Sequence, residues 1–146
     1  MSKLWVLVGE NSRAIIYSMA SRTAELVEIH CYSRPGARLH ERELTSDLPG
    51  RVVSSDAGHH SLESRESKKE KQTQDFAKIV CAALDRGCLQ NKYEQLVLCA
   101  SPHFLGLIRQ HLGHATNSLV IAAIDKNLVK ASGEDIQRHI REALTK

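Results

Sequence analysis

The sequence of 146 residues contains no long hydrophobic run. Its apolar stretches, such as residues 119–124, are far shorter than the roughly 20 residues that a membrane-spanning helix needs. The apolar run at residues 4–9 is too short for the core of a secretory signal peptide, and no small-residue cleavage site follows it. These absences predict a cytoplasmic protein without a membrane partner.

Cysteine pairs and metal-ligand patterns are also lacking. The four cysteines form no CxxC pair, so we expect reduced thiols that pack as small apolar side chains: Cys31, Cys81, Cys88 and Cys99. His111 and His114 have no third ligand in register and are interpreted as exposed residues at a helix end. Neither a Walker-type phosphate loop nor a nucleophile elbow occurs. The sequence therefore predicts no metal site and no other cofactor.

Positively charged residues exceed negatively charged ones only slightly. The formal net charge is +3 with an isoelectric point near 8.7, and basic residues are interleaved with acidic ones. Aromatic residues amount to 4% and follow core-like patterns, so exposed platforms for stacking nucleic-acid bases are not expected. This balance permits an RNA partner without requiring one.

The first third of the chain has the pattern of three β-strands, at residues 4–9, 13–19 and 24–32. Short clusters of turn-forming residues separate the strands. Strands joined by connections this short must pair antiparallel.

The second half alternates amphipathic helices with apolar strands at residues 94–100 and 119–124. The predicted helix start and stop signals are, in chain order, Ser67-x-x-Glu70, Gly87, Ser101-Pro102 and Ser132-x-x-Asp135. This alternation predicts right-handed crossovers and parallel pairing of the later strands.

Together these elements predict an α/β fold over one domain of residues 1–146. It is a five-stranded mixed sheet of order 3-2-1-4-5 with helices on its faces, the ribonuclease-H-like layout. Nuclease chemistry in that layout needs clustered carboxylates that hold two metal ions, with an aspartate inside strand 1. Strand 1 contains no acidic residue, so nuclease activity is not expected.

A polar segment without periodicity separates the two halves. Residues 33–67 contain two prolines and three glycines, an unusual length of connection for a compact domain. Residues 47–66 have turn chemistry, and we expect them to form a mobile loop that projects from the body.

Short motifs occur in a fixed order along the chain. They are Ala37-Arg38, Glu41-Arg42, Leu48-Pro49-Gly50-Arg51, Ala57-Gly58-His59-His60-Ser61, Ala100-Ser101-Pro102, Phe104-Leu105-Gly106-Leu107 and Ile124-Asp125-Lys126-Asn127-Leu128. In this order they resemble the bacterial host-attachment protein family, which is itself similar to the middle domain of archaeo-eukaryotic class-I peptide release factors. The resemblance implies a stand-alone domain that acts on ribosomes or peptidyl-tRNA in translation rescue.

Release factors of that class carry Gly-Gly-Gln at the tip of their loop, where this chain has Gly58, His59 and His60. The resemblance implies that Gly58 provides a bend and that His60 places or activates water for cleavage of the peptidyl-tRNA ester. His59 lacks the backbone freedom of glycine, and imidazole is not an isostere of an amide. Whether the chain is a peptidyl-tRNA ester hydrolase therefore stays open at this point.

The resemblance also implies contacts with RNA phosphates beside the loop, by Arg51, Arg65, Lys68 and Lys69. For the lysines, a solvated helical turn is the competing interpretation, because glutamates interrupt the basic run. The alternative function is a non-catalytic interaction module whose loop binds a protein partner and affects attachment to host cells indirectly.

Overall fold

The computed structural model describes residues 3–34 and 62–145, with positions 62–66 described by their backbone alone. The strands are β1 (Leu4–Glu10), β2 (Arg13–Met19), β3 (Val27–Ser33), β4 (Gln95–Ala100) and β5 (Val120–Ile124). The helices are α1 (Leu62–Leu89), α2 (Pro102–His111), α3 (His114–Asn117) and α4 (Gly133–Leu144). The predicted order of elements is confirmed, and the short helix α3 is an addition to it.

All five strands form one sheet in the order β3-β2-β1-β4-β5, as predicted. β2 is antiparallel to β1 and to β3, while β4 is parallel to both β1 and β5. Four strands, all except β2, therefore end at the same side of the sheet, which we call the carboxyl edge. We call the opposite side the amino edge.

Two apolar cores lie on the two faces of the sheet. Alternate residues of β1 point to opposite faces: Leu7 packs with α1 and α2, and Val6 packs with α4. Because β1 and β4 are buried on both faces, they have the continuous apolar sequences typical of parallel strands.

The four cysteines are free, as expected. Burial raises the pKa of the thiols of Cys81 and Cys99 to about 12, so these thiols stay protonated at neutral pH and pack as apolar groups.

Helix α1 is longer at both ends than predicted. It begins at Leu62, so Ser67 lies inside it, the predicted capping box does not start it, and residues 62–66 are helical rather than part of a loop. The remaining positions of the predicted loop lie outside the described residues. Leucine, glutamate and arginine in the sequence of residues 62–66 are favourable helix formers, which is consistent with the earlier start.

A helix stop was predicted near Gly87, and α1 ends two residues beyond it, at Leu89. Asn91, just past this end, has a φ of 56°, the left-handed conformation that commonly terminates helices. A Cβ at Gly87 would lie 2.6 Å from Cη2 of Trp5. The glycine is therefore explained by the close approach of the Trp5 indole and not by helix termination.

Candidate functional site at the carboxyl edge

The turns that follow β1, β4 and β5 lie at the carboxyl edge, and so do the N-termini of α2 and α4. In open α/β sheets, ligands bind preferentially at this end of the strands. The predicted cap at Ser132 is confirmed, because its side chain accepts a hydrogen bond of 3.1 Å from the backbone N–H of Asp135. Ser101 occupies the predicted N-cap position of α2, but its side chain makes no capping hydrogen bond.

Asn127 joins the turn after β5 to the end of β1. Its Nδ2 donates to Oε1 of Glu10 at 3.1 Å, and its Oδ1 accepts from the backbone N–H of Val129 at 3.1 Å. Ser12 donates to the other oxygen of Glu10 at 3.3 Å. In the motif that begins at Ile124, Asn127 therefore has a structural role that the sequence alone did not assign.

His103 joins the first turn of α2 to α1. Its Nε2 lies 3.1 Å from Oε1 of Glu70, and the second oxygen of Glu70 accepts from Nε2 of Gln74 at 3.2 Å. Both oxygens of the Glu70 carboxylate are thus engaged by neighbours on the helices. The His103 and Glu70 side chains are about half exposed, so this pair contributes little to stability.

A pocket of about 290 Å³ lies between the sheet and α1 at the carboxyl edge. We call it the edge pocket, and it is lined by Asn11, Arg34, Lys69, Glu70 and Thr73. On the sheet side, the backbone N–H of Arg34 donates to the carbonyl of Ser12 at 3.0 Å, which holds the end of β3 against the β1–β2 turn. On the helix side, the buried Thr73 donates its hydroxyl to the carbonyl of Lys69 at 3.0 Å.

The cations of the edge pocket have no ionic partner in the part of the chain that the structure describes. Neither Arg34 nor Lys69 forms a salt bridge with a described residue, and Glu70, the acidic member of the described lining, pairs with His103 instead. Nε of Arg34 is buried and has no hydrogen-bond partner there. Since a buried donor without a partner is costly, this atom marks a position where an acceptor would be stabilised.

The structure distinguishes Lys68 from Lys69, for which the sequence predicted the same role. Lys69 lines the edge pocket, whereas Lys68, one position earlier on α1, is exposed and does not. Arg34, which no sequence motif singled out, lines the same pocket as Lys69. The available signal was a basic residue at the end of β3, at the same edge as the other strand ends.

The other predicted site residues cannot be placed against this pocket. Gly58, His59, His60 and Arg51 lie outside the described residues, and Arg65 is described by its backbone alone. The two helix-end histidines differ from the prediction in one respect. His114 is exposed, but His111 is half-buried with Nε2 enclosed, because α3 follows α2 directly.

Residues 3–34 and 62–145 contain no group of three histidine, cysteine or acidic side chains placed to hold a metal ion. In the same ranges, no helix combines the length and apolar character required to cross a bilayer.

Comparison with known proteins gives one family match. A family model described as "Protein required for attachment to host cells" matches residues 5–140. No curated protein matches the sequence.

Solved structures provide more distant similarities. Dom34 of S. cerevisiae is described as a translation termination-like factor involved in RNA quality control pathways and interacting with Hbs1. It is similar with a TM-score of 0.46 and 11% sequence identity, over 93% of this chain and 32% of that chain. A structure described as an archaeal protein has a TM-score of 0.35 and 11% identity, over 98% of this chain and 37% of that chain. The chain therefore spans about a third of the length of these two structures.

Proposed function

This chain belongs to the family described as proteins required for attachment to host cells, and we propose that it acts by binding RNA of the ribosome or of a ribosome-bound tRNA. The carboxyl edge of the sheet is the proposed contact surface. The observation that carries this proposal is the edge pocket, which both Arg34 and Lys69 line without an ionic partner among the described residues.

The position of these cations along the chain supports the proposal. Arg34 is the last described residue before the segment that contains the glycine and histidines of the predicted tip, and α1 follows that segment. Lys69 lies seven residues into α1, about 10 Å along the helix axis from Leu62. The cationic pocket therefore adjoins the first attachment point of that segment and lies about 10 Å along α1 from the second.

The proposed chemistry is hydrolysis of the peptidyl-tRNA ester, carried over from the resemblance of the sequence to the release-factor middle domain. Gly58 would provide the bend, with His59 beside it, and His60 would orient water or accept its proton. Water adds to the ester carbonyl, and the ribose hydroxyl of the tRNA leaves with a proton. Arg34, Arg51, Arg65 and Lys69 are the proposed contacts to phosphate, whereas Lys68, which does not line the edge pocket, is proposed to make none.

Co-sedimentation of the full chain with ribosomes from its own organism tests the binding step. We expect the chain to pellet with ribosomes at about 50 mM salt and its affinity to fall about fiftyfold at about 200 mM, because four phosphate contacts release counterions. A chain that stays in the supernatant at low salt would contradict the proposed function and favour a protein partner instead.

A peptidyl-tRNA release assay tests the chemical step separately. His60→Ala should abolish ester cleavage while leaving ribosome binding in place, because His60 is proposed to act on water. The matched control is His114→Ala, an exposed histidine outside the carboxyl edge, which should cleave at the wild-type rate. Equal cleavage by the wild type and His60→Ala would remove His60 from the mechanism.

A further inference from the structure

The edge pocket presents hydrogen-bond donors from both of its walls. Arg34 carries five N–H donors in a planar fork, Lys69 carries three, and the amide of Asn11 offers two. The hydroxyl proton of Thr73 is already committed to the carbonyl of Lys69. A ligand that fits this lining must supply acceptor oxygens and negative charge.

The Glu70 carboxylate lines the pocket, but it is paired with residues other than the two cations. His103 and Gln74 engage its two oxygens at 3.1 and 3.2 Å, and neither Arg34 nor Lys69 forms an ion pair with it. With two cations and one carboxylate, the lining has a net positive charge. An anion that enters the pocket would therefore be attracted, and the attraction would increase if the Glu70 charge were removed.

The size and composition of the pocket restrict the kind of anion. Its volume of about 290 Å³ is near the lower limit for pockets that hold small molecules, about 300 Å³. None of the described residues that line it is aromatic, so they offer no surface on which a base could stack. These features fit a phosphate group with its adjoining sugar, and they predict recognition that does not depend on base sequence.

We propose that the edge pocket is a phosphate-binding site that takes a backbone phosphate of RNA. Arg34 donates to the phosphate oxygens through its guanidinium, Lys69 supplies the second positive charge, and Asn11 donates through its amide. The proposal deepens the proposed function and rests on it, since it identifies the group of the RNA that the carboxyl edge recognises.

Helix geometry provides a matched control for Lys69. Lys68 is the adjacent residue on α1, carries the same charge and is exposed, but points about 100° around the helix from Lys69 and does not line the pocket. Glutamine is nearly as good a helix former as lysine, so Lys68→Gln and Lys69→Gln should both fold. A general effect of net charge would weaken binding equally in both variants.

The first measurement is fluorescence anisotropy of a labelled single-stranded RNA of ten nucleotides with the full chain. Arg34→Gln and Lys69→Gln should each lower the affinity about tenfold, because each removes a charge-assisted hydrogen bond. Each should also reduce the slope of log K against log salt by about 0.7, the value for one lost contact with a single strand. Lys68→Gln should change the affinity less than about twofold, and Glu70→Gln should increase it. RNAs of different base sequence should bind alike.

The second measurement uses inorganic phosphate and distinguishes a free anion from the RNA backbone. Phosphate should raise the midpoint of thermal unfolding of the wild type, relative to chloride at equal ionic strength, but not that of Arg34→Gln. Stabilisation by phosphate without any binding of RNA would contradict an RNA-backbone site and assign the pocket to free phosphate. Absence of both effects, or equal losses in Lys68→Gln and Lys69→Gln, would overturn the proposal.

These measurements are independent of the ribosome test. If the variants lose RNA affinity as expected but the wild-type chain does not pellet with ribosomes, the phosphate site is supported and the proposed function is refuted. If the wild-type chain binds ribosomes and Arg34→Gln and Lys69→Gln bind them equally well, the phosphate site is refuted and the proposed function is supported.

Discussion

Replacing Phe104 by alanine should lower the free energy of unfolding by about 3–5 kcal/mol, the range for truncating a fully buried phenylalanine. Phe104 has no solvent exposure, and its ring lies 5.7 Å from the ring of Phe76 in a stacked arrangement. A Cβ placed on Gly9 would lie 3.0 Å from Cε2 of Phe104, so the ring packs directly against the backbone of β1. One side chain therefore joins β1, α1 and α2 just beneath the carboxyl edge.

Urea unfolding of the full chain measures this loss through the midpoint and slope of the transition. Leu105→Ala is the matched control, because Leu105 is the next residue of α2 and is only half-buried. We expect this control to lose about 1 kcal/mol, since truncating a half-buried leucine removes less buried apolar surface than truncating Phe104. A loss below about 1.5 kcal/mol for Phe104→Ala would contradict the packing described here.

Replacing Asp85 by alanine should lower the free energy of unfolding by about 3 kcal/mol, because two donors to a charged acceptor lose their partner. Oδ1 of Asp85 accepts from the backbone N–H of Gly113 at 3.1 Å and from the hydroxyl of Thr116 at 2.5 Å. These bonds attach the C-terminal part of α1 to the start of α3, 28 and 31 residues further along the chain. Thr116 is buried, so water cannot replace the carboxylate there.

The conservative variant Asp85→Asn separates hydrogen bonding from charge. Its amide oxygen can accept the same two bonds, so we expect about half of the lost stability to return. Asp75→Ala is the control on the same helix, since the Asp75 carboxylate is exposed and only pairs with Lys71 at 3.4 Å. It should change stability by less than about 0.5 kcal/mol. Equal losses in Asp85→Ala and Asp75→Ala would show that the α1–α3 connection contributes nothing specific.

The topology of the sheet could be predicted from the sequence because its signals are local. The short turns between the first strands leave only antiparallel pairing, and the apolar sequences of β4 and β5 indicate strands that are buried between helices. These signals depend on neighbouring residues alone. They predict the antiparallel β1–β3 meander and the parallel later strands, and the ribonuclease-H-like layout that fits both has the observed order β3-β2-β1-β4-β5.

The ends of α1 could not be predicted, because the deciding contacts are not local. A serine followed three residues later by glutamate occurs inside helices as well as at their starts, as it does at Ser67. Gly87 resembles a helix stop in the sequence, but its role depends on Trp5, which is 82 positions away. The strand β3 also begins at Val27 rather than at position 24, and the preceding residues form a turn, with the carbonyl of Ala24 accepting a hydrogen bond from Gln137 of α4.

Only part of the candidate site could be predicted from the sequence. Lys68 and Lys69 were both predicted to contact phosphate, but only the rotation of the helix against the sheet shows that Lys69 lines the edge pocket and Lys68 does not. Arg34 itself belongs to no motif, and its relevance depends on β3 ending beside the β1–β2 turn. Sequence patterns indicated basic residues beside the predicted loop, and the fold shows which of the described ones line a pocket.

The central claim is that the carboxyl edge, and not the positive charge of the whole chain, contacts ribosomal or tRNA phosphate. Charge reversal at opposite edges tests it most directly, by co-sedimentation of Lys69→Glu and Lys92→Glu with ribosomes at low salt. Both lysines are exposed, and Lys92 lies in the turn between α1 and β4 at the amino edge. We expect Lys69→Glu to lower the affinity at least tenfold and Lys92→Glu to change it less than about twofold. Equal losses in the two variants, or a loss in Lys92→Glu alone, would contradict the claim.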